Sequence, residues 1–175
     1  MKKVLVFKEI SNGRYREEHG LFFDDFDVGD VIEHRPGRTI TEVDNIWQSL
    51  INMNTHPLHI DSEYGKETEF GRNLVSSLVS LSIVGGLTAN TLSAKAVANL
   101  GWNYIKLLKP LYVGDTVYAE TEVIDKRLSQ SREGTGIVTF KTFGIKGDGT
   151  QFMVFERNVL IPLRGYSASK NSFYQ

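Results

Sequence analysis

The densest concentration of chemically capable side chains is Asn54-Thr55-His56-Pro57-Leu58-His59-Ile60-Asp61, which holds two of the four histidines in the chain. Histidine alone has an ordinary pKa near neutrality, so His59 reads as a general acid/base; the competing reading is a packed histidine bonded to backbone. Pro57 stiffens the segment and aims His59, and proton transfer needs geometry before it needs pKa. His56, His59 and Asp61 also match a two-histidine, one-carboxylate metal set. Pro57 prevents a regular helix from aligning the two histidines, however, and no further ligand cluster accompanies them, so no metal is expected. Asp61 fits better as the N-cap of the helix that follows.

A second feature is Phe70-Gly71-Arg72-Asn73-Leu74-Val75-Ser76-Ser77-Leu78, which leads into a segment without charge from Asn73 to Ala94. A helix start presents free backbone N–H groups and partial positive charge. The N–H groups of Ser76, Ser77 and Leu78 could stabilise an oxygen that gains charge during reaction. The serine hydroxyls could equally cap the helix. No G-x-S-x-G elbow marks a serine nucleophile. Gly85-Gly86 lacks the spacing of a phosphate loop and reads as close packing of helix on sheet.

These residues sit in an ordinary globular chain. It has 175 residues, 41% hydrophobic and 23% charged, which fits one domain. The formal net charge of -1 offers no excess of positive charge for a nucleic acid or an anionic membrane. Cysteine is absent, which excludes disulfides, thiolate metal sites and a cysteine nucleophile. No secretory signal opens the chain, because Val4–Phe7 is too short an apolar run between lysines. The uncharged segment is long enough to cross a bilayer but carries too many serines, threonines and glycines to do so. A cytoplasmic protein is expected.

The elements follow from periodicity and turn chemistry. A strand is expected at 4–7, a turn at Ser11-Asn12-Gly13, a solvated charged run from Arg14 to His19, and a strand from Val31 to Thr41 interrupted by Pro36-Gly37. Thr41 caps a helix with its apolar spacing at Ile46, Trp47, Leu50 and Ile51, running through Met53. A short helix follows at 62–68, then a long one from Leu74 to about Thr91. Four strands close the chain, 97–108, 116–127, 136–145 and 152–162, and consecutive strands are expected to pair antiparallel. Residues 1–21 read as an extension packing on the domain, 22–164 as the domain, and 165–175 as a flexible tail. An antiparallel sheet with one face to bury, wrapped around an uncharged helix, is an α+β domain of hotdog arrangement. Its other face and edge strand favour a homodimer.

Four stretches in order resemble the MaoC-like dehydratase family, the (R)-specific enoyl-CoA hydratase branch of the hotdog superfamily. They are Phe26–Asp30, His56–Asp61, Thr68–Leu78 and Leu107–Thr116. The resemblance implies reversible syn addition of water across a 2-enoyl-CoA thioester, with acyl-CoA as substrate and no cofactor. The usual motif of the family is D-x-N-P-x-H. This chain matches it at Pro57, Leu58 and His59, and departs with Asn54 in place of Asp and His56 in place of Asn. The family's His-Gly at the helix start is here Ser76-Ser77. An amide cannot take a proton at neutral pH, although it can hold a water. His59 and Asn54 are therefore the expected catalytic pair, with His59 both taking and giving the proton.

The stretch Asn52–His59 also resembles a subgroup linked to mesaconyl-CoA and methylmalyl-CoA chemistry, with itaconyl-CoA as a neighbour. Such branched C5 dicarboxylic thioesters need a cation for the free carboxylate. His56, Arg72, Arg38 and Thr55 are the expected substrate-binding residues. The alternative suggested by Asn54 is a non-catalytic acyl-thioester binding protein. A hotdog thioesterase ranks lower, because Asn73 to Ala94 carries no carboxylate to act as base or nucleophile.

Overall fold

The computed structural model describes residues 7–166. The expected strand at 4–7 and the C-terminal tail lie almost wholly outside them. The described chain opens with a hairpin, β1 (Phe7–Ser11) and β2 (Arg14–Glu17), joined at Asn12-Gly13 with Gly13 at φ 72°. Asn-Gly is the pair that tolerates the positive φ values of a tight hairpin turn. The first four residues of the charged run are thus strand, and nearly every hairpin residue is exposed.

The remaining strands form one antiparallel sheet. They are β3 (Val31–Thr39), β4 (Ala98–Leu107), β5 (Thr116–Leu128), β6 (Thr135–Lys146) and β7 (Gln151–Pro162), in the spatial order β3-β5-β6-β7-β4. Strand β5 shows the clearest alternation: Val117, Ala119, Thr121 and Val123 are buried while Tyr118, Glu120 and Glu122 between them are not. The register of β3 on β5 shifts between His34 and Arg38, where Pro36-Gly37 was expected to interrupt it. Gly37 is required there, because a Cβ would lie 2.3 Å from the Tyr118 ring.

The expectation that consecutive strands pair holds for β5-β6-β7 and fails for β4, which pairs with β7 and not with β5. The link from Leu108 to Asp115 is no hairpin turn. It is taken up in bracing other segments: Leu74 bridges Tyr112, the Val75 N–H donates to the Leu111 carbonyl at 2.9 Å, and the Ile40 N–H donates to the Asp115 carbonyl at 2.9 Å.

The helices are α1 (Glu42–Ile51), α2 (Pro57–Ile60), α3 (Ser62–Glu67) and α4 (Ser77–Leu87), the last followed by a π turn at Ala89–Ser93. The central helix is shorter than expected at its start, because Leu74 and Val75 are already bonded to the 111–112 segment. Its inner face (Val79, Ser80, Ile83, Val84) joins a core with Ile40, Val117, Ala119, Phe152, Met153 and Phe155. A second core under the π turn gathers Phe26, Leu92, Val123, Val138, Phe140, Val159 and Ile161. Each such side chain, fully buried, contributes about 1.5–3 kcal/mol of transfer free energy. The sheet and its helix form the expected hotdog arrangement.

The expectation for the glycine pair is overturned, and α1 ends earlier than expected. A Cβ on Gly85 or Gly86 would meet nothing within 4 Å, so the glycine pair does not serve packing of helix on sheet. Helix α1 stops at Ile51, short of Met53; Asn45 and Ser49 are buried and Ile46 half-buried, whereas Trp47 is 65% and Ile51 65% exposed. The apolar spacing read correctly as a helix, and most of its apolar side chains lie in the open.

At the far end of α4, Arg157 from β7 is buried and donates to the hydroxyls of Thr88, the C-cap, at 2.8 Å and Ser93 at 3.2 Å. A cation there complements the negative end of the helix dipole, although burial lowers the guanidinium pKa. Beside it His34 is buried, with Nδ1 bonded to Thr91 Oγ1 at 3.1 Å and Nε2 to Thr121 Oγ1 at 3.0 Å. Burial, and then the charges of Arg157 and Arg35, lower its pKa from 6.5 to about 4.

Candidate active site

The histidine-bearing segment is a short helical turn clasped from both sides. His56 is the N-cap of α2 and Pro57 its first residue, a position where the missing N–H costs nothing. The Leu58 N–H donates to His56 Nδ1 at 3.2 Å, which leaves Nε2 as the protonated nitrogen of that ring in its neutral form. Asp61 caps α3 by accepting from the Glu63 and Tyr64 N–H groups, as its position suggested. Among the described residues no group of three histidine or carboxylate side chains is arranged to hold a metal ion.

His59 is half-buried, and its Nδ1 lies 2.9 Å from the carbonyl oxygen of Leu74. A carbonyl only accepts, so Nδ1 carries the proton and Nε2 keeps a free lone pair. That is the tautomer of a general base. The Leu74 carbonyl belongs to the extended run 72–76, which reaches its position by close approach to α3. At Gly65, a Cβ would lie 2.8 Å from the Asn73 backbone nitrogen. The Asn73 side chain then donates to the carbonyls of Leu58 at 3.1 Å and Asp61 at 3.0 Å, pinning the C-terminal end of α2.

From the opposite side comes Asn45 of α1, 1% exposed. Its Nδ2 donates to the carbonyls of His59 at 2.9 Å and Leu74 at 3.1 Å, and its Oδ1 accepts from the Ser76 N–H at 2.9 Å. Asn45 and Asn73 were not singled out as site residues in the sequence. The available signal was a buried-type position in α1 occupied by an amide, which is costly unless every polar group finds a partner.

The expected oxyanion donors divide accordingly. The Ser76 N–H is engaged by Asn45 and is not available to a substrate oxygen. Ser77 and Leu78 occupy the first two positions of α4, whose leading N–H groups lack partners within the helix. Ser76 makes no side-chain cap; its hydroxyl accepts from Asn54 Nδ2 at 3.3 Å. Asn54 Oδ1 accepts from the His56 N–H at 3.4 Å. Asn54 thus ties the histidine turn to the foot of α4, with one N–H and one lone pair to spare.

Two hollows flank the 72–76 run. One, about 230 Å³, is lined by His59, Arg72, Glu42, Asn45, Asn73 and Val113 among others. The second, about 290 Å³, is mostly apolar and is lined by Ser77, Ser80, Leu74, Phe70 and Leu107–Leu111. Arg72 lies over the Tyr112 ring at 3.8 Å, a cation–π contact that holds the guanidinium beside the first hollow. His56 is exposed, its ring 6.0 Å from that of His59. Thr55 is exposed. Arg38 is paired with Asp44 at the start of α1 and lines neither hollow. Burial resists ionisation of Asp44, but hydrogen bonds from Thr41 and the Arg38 charge prevail and hold the carboxyl below its usual range.

Comparison with known proteins places this arrangement. The family model described as mesaconyl-CoA hydratase matches residues 4–172. Mesaconyl-CoA hydratase of Cereibacter sphaeroides is 30% identical over 149 residues, covering 85% of this chain and 43% of that protein. Beta-methylmalyl-CoA dehydratase of Chloroflexus aurantiacus is 27% identical, covering 89% of this chain and 49% of that one. The solved structure of a putative MaoC domain protein dehydratase from Chloroflexus aurantiacus superposes with a TM-score of 0.77 at 27% identity, over 83% of this chain and 45% of that one. The chain therefore spans about half the length of these relatives. The family match runs through the whole described fold and includes the His59 turn, Arg72 and the start of α4, so the chain belongs to the mesaconyl-CoA hydratase family.

Proposed function

We propose that the protein is an acyl-CoA hydratase/dehydratase acting on a branched C5 dicarboxylic 2-enoyl thioester such as mesaconyl-CoA. The observation that carries this reading is the His59 ring, fixed by the Leu74 carbonyl with its Nε2 lone pair free and lining a hollow that also holds Arg72. In the reaction, Nε2 takes a proton from water as the water oxygen bonds the β-carbon. The same nitrogen then returns the proton to the α-carbon on that face. The thioester oxygen, which gains charge as the double bond opens, is assigned to the leading N–H groups of α4 at Ser77 and Leu78, of which Ser77 lines the second hollow and not the one that holds His59. Arg72 takes the free carboxylate in a charge-assisted pair. The residual donor and acceptor of Asn54 suit the holding of the water.

Two copies of the chain are the assembly that fits this reading. The relatives are about twice as long. This chain leaves Leu78 46%, Trp102 47% and Leu107 56% exposed on α4 and the edge strand β4, besides Trp47 on α1. Large apolar side chains exposed on an unpaired edge strand and the helix beside it suit cover by a second copy. A homodimer covers them.

The test is a hydration assay with mesaconyl-CoA, itaconyl-CoA and crotonyl-CoA, with release of CoA followed in parallel. Hydration of a C5 substrate that disappears in His59→Ala supports the reading. Tight acyl-CoA binding without turnover would replace it by the binding-protein alternative, which the amide at Asn54 favours. Release of CoA would indicate a thioesterase.

A further inference from the structure

We infer that Asn45 is the positioning residue of the base: one buried amide sets the tautomer and placement of His59 and, in the same act, the start of α4. This rests on the reading of His59 as the base. The four polar groups involved are otherwise hard to reconcile. The Leu74 carbonyl that takes the His59 ring N–H at 2.9 Å also takes Asn45 Nδ2 at 3.1 Å, so both of its lone pairs are directed. The second N–H of the same amide takes the His59 carbonyl at 2.9 Å, fixing the backbone that bears the ring. Its oxygen takes the Ser76 N–H at 2.9 Å, fixing the residue from which α4 begins.

The amide uses both donors and one acceptor, and it is 1% exposed, so water cannot replace it. No other standard side chain of that size offers two donors and an acceptor. Asp keeps the shape but loses both donors, and Leu loses all three groups. Asn45 itself is held by α1, whose capping box joins Thr41 to Asp44, the residue just before it, and sets the helix start at Glu42. The burial pattern of α1 agrees with this use: the face turned inward carries the amide, and Trp47, Leu50 and Ile51 are left exposed.

The experiment compares the intact protein with Asn45→Asp and Asn45→Ala. Three readouts are taken: thermal unfolding, kcat and KM for the C5 thioester that the protein hydrates, and the ¹⁵N resonances of His59, assigned with His59→Ala. In the unaltered protein, His59 is expected with hydrogen on Nδ1 and a bare Nε2. In Asn45→Asp the tautomers are expected to mix, kcat to fall about 10–100-fold and KM to stay within about threefold, since a displaced reacting group costs rate more than binding. A ring with hydrogen on Nε2 in the unaltered protein would overturn the inference, as would an Asn45→Asp variant with unchanged tautomer and unchanged kcat. The ¹⁵N readout needs no substrate. If no thioester is hydrated, the hydratase reading fails while the positioning role is still decided by the resonances. Should Asn45→Ala fail to fold, the near-isosteric Asn45→Asp carries the test.

Discussion

At the scale of the residue, the account stands on one ring nitrogen. His59→Ala removes the only acid/base group that the proposed mechanism uses, and turnover is expected to fall by about 10²–10⁴. His59→Gln, which keeps polarity but no titration, should be as inactive. Arg72→Lys keeps the charge but loses the flat fork that pairs with a carboxylate. Steady-state kinetics should then show KM for mesaconyl-CoA raised at least tenfold and KM for crotonyl-CoA little changed; an equal effect on both would remove Arg72 from carboxylate recognition. His59 and the cap at Asp61 were legible in the sequence because each has a local signature, a proline-stiffened histidine and a capping carboxylate, whereas the start of α4 was expected at Leu74 and lies at Ser77. Asn45, Asn73 and the engagement of the Ser76 N–H were not. Their roles depend on backbone groups 12 to 31 positions away, which no local pattern specifies.

At the scale of the element, what positions the base is a set of close approaches and caps. Gly65→Ala drives a methyl against the backbone nitrogen of Asn73. It is expected to destabilise by about 1–3 kcal/mol, the usual cost of overpacking, and to reduce activity by moving the run that carries the Leu74 carbonyl. Denaturant unfolding together with kinetics checks both parts. Thr41→Ala removes the cap of α1 and should cost about 1 kcal/mol. The positions of the five strands of the main sheet and the caps of α1 and α3 were readable, because alternation and capping are properties of neighbours; β2 was not, its residues reading as a solvated charged run. The neighbours of β4 were not: whether a strand pairs with the next in sequence depends on what the link between them does, and residues 108–115 are occupied with Ile40, Leu74 and Val75. The apolar spacing of α1 correctly indicated a helix but left its buried face open, since periodicity gives a stripe but not what lies opposite.

At the scale of the whole molecule, the charge state of His34 ties stability to pH. Its pKa is about 4 in the fold against 6.5 in the unfolded chain, so between these values the unfolded chain binds more protons. The contribution of the neutral ring is therefore complete above about pH 6.5 and is lost as pH falls towards 4. Melting temperature is expected to decline across that window, and His34→Gln should flatten the decline; an unaltered slope would contradict the assignment. Assembly is tested on the same scale. Leu78→Glu and Trp47→Glu place charge on the open apolar faces, and sedimentation should show dissociation to monomers with both. An unaltered protein that sediments as a monomer would contradict the homodimer.

The most direct measurement of the central claim is the rate of water addition to mesaconyl-CoA by the protein and by His59→Ala, with crotonyl-CoA beside it. The account predicts hydration of mesaconyl-CoA that the variant loses by at least about 10², with crotonyl-CoA hydrated more slowly. Equal turnover by protein and variant, or release of CoA in place of hydration, would contradict it.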